Sequence, residues 1–171
     1  LEYHRVGSGP LIILFHSTAS SLNQWHSLIN LLKNEYEIIA INLFGYGLTS
    51  KWIENNNPQN LLDHVKLTEP FINSYKGKIT FIGHSFGGSV AMRAALEFQI
   101  KLNKLILLEP NAFFILNNKD HTYAYNIANN FGKEINEAKI NSNWKDFAKI
   151  FLEFWIGKGT WEKMKPEQKQ K

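Results

Sequence analysis

At 171 residues, 44% apolar and 13% aromatic, the chain has the length and composition to bury one real core, which excludes disorder over most of its length. A formal charge of +4 names neither a nucleic acid nor a membrane surface as partner, because the basic residues are scattered until the final stretch Lys158 to Lys171. The absence of cysteine excludes a disulfide framework, a thiolate nucleophile and a Cys-based zinc site.

No run approaches the roughly 18 apolar residues of a membrane span. The opening Leu1–Pro10 also lacks the basic-then-apolar order of a signal peptide, so a cytoplasmic protein is the default expectation. A first residue Leu1 in place of Met, and a Lys- and Gln-rich end without a closing element, point to a fragment.

In chain order, the first apolar run, Leu11–His16, reads as a buried strand. Leu22, Trp25, Leu28, Ile29 and Leu32 then fall on one face at 3.6-residue periodicity, which predicts a helix. Glu37–Leu43 is the second strand. The Asn-rich run Asn55–Asn60, with Pro58 inside it, predicts a loop leading into a helix N-terminus. Leu61, Leu62, Val65 and Ile72 mark the second helix, which Pro70 should kink or shorten. Lys78–His84 is the third strand, Phe86–Phe98 a helix with Ala and Gly on its inner side, and Lys104–Glu109 the fourth strand.

Beyond Pro110 no further strand is convincing, and helices are predicted near Thr122–Lys139, Asn143–Trp155 and Thr160–Lys171. Trp144, Phe147, Ile150, Phe151, Phe154 and Trp155 form an apolar stripe. Its first reading is packing on the main body; its second is the lining of a substrate cleft beneath a lid. The alternation of strands and helices predicts an α/β fold with a mainly parallel, doubly wound sheet over residues 1–110, followed by a helical segment over 111–171. Function then belongs at the carboxyl ends of the strands.

One motif carries chemistry. Gly83-His84-Ser85-Phe86-Gly87 is a Gly-x-Ser-x-Gly sequence between a predicted strand and a predicted helix. A serine on so sharp a turn is forced into an unfavourable backbone region, and Gly83 and Gly87 remove the side chains that would clash there. Ser85 becomes a candidate nucleophile, and the Phe86 N–H at the helix start a candidate donor to developing negative charge. The bland alternative is that these glycines only allow close helix–sheet packing.

These residues resemble the α/β-hydrolase family of esterases, lipases and carbon–carbon bond hydrolases, and the likeness extends from Leu1 to about Pro110. Leu1–Pro10 is similar to the hairpin before the family's first central strand. His16-Ser17-Thr18 stands where members carry His-Gly-x, and Asn42-Leu-Phe-Gly45-Tyr-Gly47-Leu-Thr49 is similar to the family's Asp-x-x-Gly-x-Gly-x-Ser/Thr turn. The resemblance implies an oxyanion hole made by the backbone amides of Thr18 and Phe86. It also implies a small or medium apolar ester-like substrate and an acyl-enzyme on Ser85. Ser17 for glycine bears on that loop's backbone, and Asn42 for Asp is a structural change. Gly45 and Gly47 read as turn residues.

No cofactor and no metal are expected. No phosphate-binding Gly-x-x-x-x-Gly-Lys-Ser/Thr occurs, and the six histidines show no His-x-x-x-His pairing. His16 and His84 flank the motifs for local reasons.

A serine nucleophile needs a histidine base and an acid that orients it, in the order Ser, acid, His. Within the chain Glu109 and His121 fill that order formally. The resemblance argues against them, because in the family the histidine follows the last strand of the sheet. It implies instead that acid and base lie beyond Lys171, which would leave residues 1–171 with little turnover and a sheet edge open to self-association. Two other classes stay open: a small-molecule-binding protein on the hydrolase fold, and a truncated product without a function of its own.

Overall fold

The computed structural model of the chain describes residues 1–53 and 58–169. Five strands form one sheet in the order β1-β3-β2-β4-β5: β1 Tyr3–Val6, β2 Leu11–Phe15, β3 Glu37–Ile41, β4 Ile79–His84 and β5 Leu102–Leu108. Strands β2, β3, β4 and β5 run parallel, and only β1 is antiparallel, pairing Tyr3 with Ile41 and Val6 with Ile38. The chain opening therefore makes no hairpin with β2, contrary to the likeness read from Leu1–Pro10. Gly7 and Gly9, both at positive φ, carry the chain past the backbone of Lys33, Glu35 and Tyr36, and β1 reaches the far side of β3.

Both faces of the central strands β2, β3 and β4 are covered, as their continuous apolar runs require, while Ile106 and Leu108 of the edge strand β5 are exposed. Leu11, Ile13 and Phe15 of β2, with Ile39, Ile41, Ile79 and Phe81, face one layer. That layer comprises α2 (Leu61–Lys66), α3 (Glu69–Ser74) and α4 (Phe86–Glu97). Alternate residues Ile12, Leu14, Ile38, Ala40 and Ile82 face Trp25 and Ile29 on the opposite side. Trp25 closes a 3-10 turn, Leu22–Trp25, and Ile29 belongs to α1 (His26–Leu32). The inner face of α4 carries Val90, Ala91, Ala94 and Ala95, whose small volumes let it lie close to the sheet.

Pro70 acts as a boundary rather than a kink: α2 ends before Thr68, and α3 begins with Pro70 in its first turn, where a missing N–H costs nothing. Asn60 caps α2 by accepting from the Leu62 amide at 2.9 Å, while Asp63 accepts from the Asn60 amide at 2.9 Å. The run Asn55–Asn60 thus does lead into a helix start, although Asn55, Asn56 and Asn57 lie outside the described residues.

The chain divides into two compact units, Leu1–Asn111 and Ala112–Lys171. The second contains α5 (Thr122–Ile140), α6 (Trp144–Trp155) and α7 (Thr160–Lys163). Phe131 of α5 stacks on Phe154 of α6 with ring centroids 3.9 Å apart, and Phe151 and Trp155 approach the same ring. The aromatic stripe is thus in part an interhelical seam, while Trp144 at its start is exposed. The helix expected over Thr160–Lys171 stops at Lys163. Lys165 precedes Pro166, which disfavours helical backbone, so Met164 and Lys165 turn extended and a short 3-10 turn, Pro166–Gln168, follows. Among the described residues, no helix is long and apolar enough to cross a membrane.

Candidate active site

Three strand ends build the site. At the carboxyl end of β4, Ser85 has φ 53° and ψ −118°, a left-handed conformation that costs a residue with a Cβ about 1–3 kcal/mol. Neighbouring backbone holds it there. The Ser85 amide donates to Leu108 O at 2.9 Å, and its carbonyl accepts from the amides of Gly88 at 2.9 Å, Ser89 at 3.2 Å and Asn111 at 3.2 Å. The bend also needs bare neighbours: a Cβ on Gly83 would fall on the Gly87 carbonyl, and one on Gly87 on the carbonyls of Phe15 and His16. Gly88 is equally constrained, since a Cβ there would stand 2.9 Å from Pro110 Cβ.

The second strand end is that of β2. Because Gly87 sits against Phe15 O and His16 O, the first turn of α4 abuts the backbone that leads to Thr18. Side chains hold this loop from several directions. His16 is fully buried, accepting from the Leu43 amide at Nε2 (3.1 Å) and donating from Nδ1 to Ser17 O (2.8 Å). That assigns one neutral tautomer, and burial pushes its pKa below the ordinary histidine value while the Ser17 carbonyl partly offsets the shift. Gln24 Oε1 accepts from both the Ser17 amide (3.1 Å) and the Ser17 hydroxyl (3.0 Å). Tyr46 packs edge-on to His16 and accepts from the Ala19 amide at 3.4 Å. Ala19 itself has φ 56°. Among the described residues, neither the Thr18 nor the Phe86 amide donates a hydrogen bond.

The third strand end is that of β5, where Glu109 at φ 45° turns the chain through Pro110 to Asn111. The Ser85 hydroxyl donates to Asn111 Oδ1 at 3.2 Å, and Ser89 Oγ donates to Asn111 O at 3.0 Å. Glu109 is exposed just past β5; His121 is exposed at the end of a 3-10 turn, Lys119–His121, in the second unit. Within the first unit, no histidine nitrogen among the described residues bonds to the Ser85 hydroxyl. No three His, Asp or Glu side chains among the described residues come together as a metal would require.

Beside these ends, the turn from Asn42 to Thr49 is locked to the start of the chain. Asn42 Nδ2 and the Leu48 amide both donate to Glu2 Oε2 at 2.6 Å, and Thr49 Oγ1 accepts from the Glu2 amide at 2.9 Å while donating to Asn42 O at 2.9 Å. These donors hold the Glu2 carboxyl below the usual carboxylate range, the Leu48 amide most strongly. Gly45 and Gly47 are turn residues at positive φ.

Sequence reasoning missed Asn111, Gln24 and Tyr46. Asn111 was within reach of the rule that function gathers at strand ends, since it follows the predicted strand Lys104–Glu109 by two residues. Gln24 and Tyr46 carried no such signal, because only the folded loops bring them to Ser17 and Ala19.

The arrangement sets a hydroxyl on a strained bend at the start of a twelve-residue helix, with the two amides of Thr18 and Phe86 uncommitted. A sequence profile described as the alpha/beta hydrolase fold matches residues 10–148. The chain belongs to the α/β hydrolase family.

Within that family, the chain is 28% identical over 161 residues to a pimeloyl-[acyl-carrier protein] methyl ester esterase of Legionella pneumophila (strain Corby), covering 92% of this chain and 63% of the relative. It is 24% identical over 163 residues to a 2-hydroxy-6-oxo-6-(2'-aminophenyl)hexa-2,4-dienoic acid hydrolase of Metapseudomonas resinovorans, covering 84% of this chain and 54% of that protein. The chain thus spans rather more than half the length of these two relatives. Among solved structures, an α/β hydrolase from Sphaerobacter thermophilus superposes with TM-score 0.66 at 16% identity, over 99% of this chain and 59% of that one. A mutant of a meta-cleavage product hydrolase gives TM-score 0.55 at 27% identity, over 63% of this chain and 41% of that one.

Proposed function

We propose that the protein is a serine hydrolase in which the Ser85 hydroxyl attacks the carbonyl of an ester or related acyl group. The attack breaks the bond to the leaving alcohol and leaves an acyl-enzyme that water then hydrolyses. The observation that carries this reading is the backbone of Ser85, held at φ 53° by four hydrogen bonds at the start of α4. The amides of Thr18 and Phe86 receive the oxyanion, a role supported by their lack of other partners among the described residues and by the positive end of the α4 dipole.

A base must take the serine proton, and among the described residues of the first unit no histidine bonds to the hydroxyl. The resemblance favours a histidine outside residues 1–171 as that base. The hydrolysed group is a small or medium apolar ester, in keeping with the methyl ester esterase among the relatives.

The second reading, a binding protein on the same fold, is favoured by one observation: the Ser85 hydroxyl donates to Asn111 rather than to a histidine. Hydrolysis of p-nitrophenyl butyrate by the full-length gene product separates the two. Turnover that falls to background in Ser85→Ala supports the hydrolase, by a factor of about a thousand or more if the hydroxyl is the nucleophile. Butyrate-ester binding without turnover supports the binding protein. Unchanged turnover in His121→Ala would exclude His121 as the base.

A further inference from the structure

Asn111 is fastened to the serine bend at three points. Its amide donates to Ser85 O at 3.2 Å, its carbonyl accepts from Ser89 Oγ at 3.0 Å, and its Oδ1 accepts from the Ser85 hydroxyl at 3.2 Å. Just before it, Pro110 lies so close to Gly88 that a Cβ on the glycine would stand 2.9 Å from Pro110 Cβ. The backbone of residue 111 is therefore fixed beside the nucleophile.

Its carboxamide is not. Among the described residues Oδ1 bonds only to the Ser85 hydroxyl and Nδ2 bonds to nothing. Asn111 is half-buried and Nδ2 is not one of the buried atoms that lack a partner, so Nδ2 is open to solvent. Rotation about the Cβ–Cγ bond of an asparagine is soft and roughly two-fold, and it exchanges an acceptor for a donor at nearly the same point in space. The O–H···O contact of 3.2 Å is longer than the usual distance of about 2.7–2.8 Å, so the exchange gives up little.

The Ser85 oxygen would need both faces of that group in turn. As a hydroxyl it has a proton to donate, and Oδ1 accepts it. In the acyl-enzyme it is an ester oxygen without a proton, and Oδ1 would set lone pairs against lone pairs. When water attacks the acyl carbon, the base takes a proton from that water, the Oγ–C bond breaks, and its electron pair stays on Oγ. The base then returns the proton to Oγ. Until it arrives Oγ carries growing negative charge, and an N–H aimed at it binds the transition state more strongly than the acyl-enzyme.

We propose that Asn111 is a catalytic residue whose carboxamide turns over between the two half-reactions. Oδ1 accepts from the Ser85 hydroxyl in the free enzyme, and Nδ2 donates to Oγ as the acyl group leaves it. The role rests on Ser85 being the nucleophile of a hydrolase. The amides of Thr18 and Phe86 then serve the carbonyl oxygen of the substrate, and Asn111 serves the oxygen of the serine.

The full-length gene product, quenched during turnover of saturating p-nitrophenyl butyrate, reads this by mass spectrometry of the Ser85 peptide. The ratio of butyrylated to free Ser85 equals the acylation rate constant divided by the deacylation rate constant. Asn111→Leu removes donor and acceptor alike. Acylation then loses a resting hydrogen bond together with the donor, and the two losses offset, whereas deacylation loses the donor alone. The ratio should rise about tenfold, the loss of one hydrogen bond to a developing charge. Asn111→Ala should raise it in the same direction and carries the test should Asn111→Leu fold poorly, since both keep the backbone bonds of residue 111. An unchanged or lowered ratio, as a merely structural role would give, would overturn the assignment of Asn111 and leave Ser85 as the nucleophile. Turnover that persists in Ser85→Ala would overturn the hydrolase, and this role with it.

Discussion

Replacing Ser85 by Ala keeps the Cβ that its backbone resists, whereas Gly removes it. Ordinarily Gly is the less stable choice by about 0.5–1 kcal/mol, through the freedom it adds to the unfolded chain. Here the relief of about 1–3 kcal/mol of strain should outweigh that penalty. Ser85→Gly is therefore expected to be more stable than Ser85→Ala by about 1 kcal/mol in urea unfolding, and the usual order would mean that position 85 is unstrained. Ala19, Ser85 and Glu109, three of the non-glycine residues at positive φ, all follow the carboxyl end of a parallel strand. Such conformations persist only where the surroundings over-determine them.

Elements reach that edge through contacts that vary in how plainly the sequence announces them. The turn from Asn42 to Thr49 is an example of a hidden one. Its anchor is the Asn42 amide nitrogen donating to Glu2, so an aspartate at this position would set two carboxylates against each other in a place where Asn42 is buried. Asn42→Asp is expected to lower the melting temperature, and Glu2→Gln added to it should recover most of the loss. Failure of the double variant to recover would mean that Glu2 is not the partner that matters. This explains in physical terms why the resemblance could read Asn42 as structural without finding its reason, since forty residues of sequence separate the pair.

Strands β2, β3 and β4 were legible because burial on both faces demands uninterrupted apolar runs, whereas β5 was read from its Leu and Ile run although Ile106 and Leu108 are exposed at the sheet edge. α4 was legible from its Ala and Gly positions, and the bend before it from Gly83 and Gly87. The pairing of β1 was not, because a four-residue strand with polar side chains carries no record of which edge it joins. The end of α7 was missed for a different reason: helix-favouring Lys, Glu and Gln outvoted the restriction that Pro166 places on the residue before it.

For the molecule as a whole, two buried neutral histidines tie stability to pH. His64 has a folded pKa of about 4 against an ordinary value of 6.5, so between those limits the unfolded chain binds the proton first. Stability is then complete above about pH 6.5 and is lost as pH falls toward 4, by about 3 kcal/mol for a shift of this size. His16 shifts in the same direction and adds to the loss. Glu2 acts only at still lower pH, because its carboxyl must be protonated below its ordinary range. Unfolding measured from pH 7.5 to 4.0 should show His64→Phe with a shallower acid-side decline than the parent, and parallel curves would contradict a buried neutral His64.

The proposed reaction requires the Ser85 hydroxyl to be the acyl acceptor, with the amides of Thr18 and Phe86 receiving the oxyanion. Covalent reaction with a fluorophosphonate, located by mass spectrometry of peptides from the full-length gene product, measures this directly. One adduct on the peptide containing Ser85, absent from Ser85→Ala, is the expected result; labelling that persists in Ser85→Ala, or that maps to another residue, would contradict it.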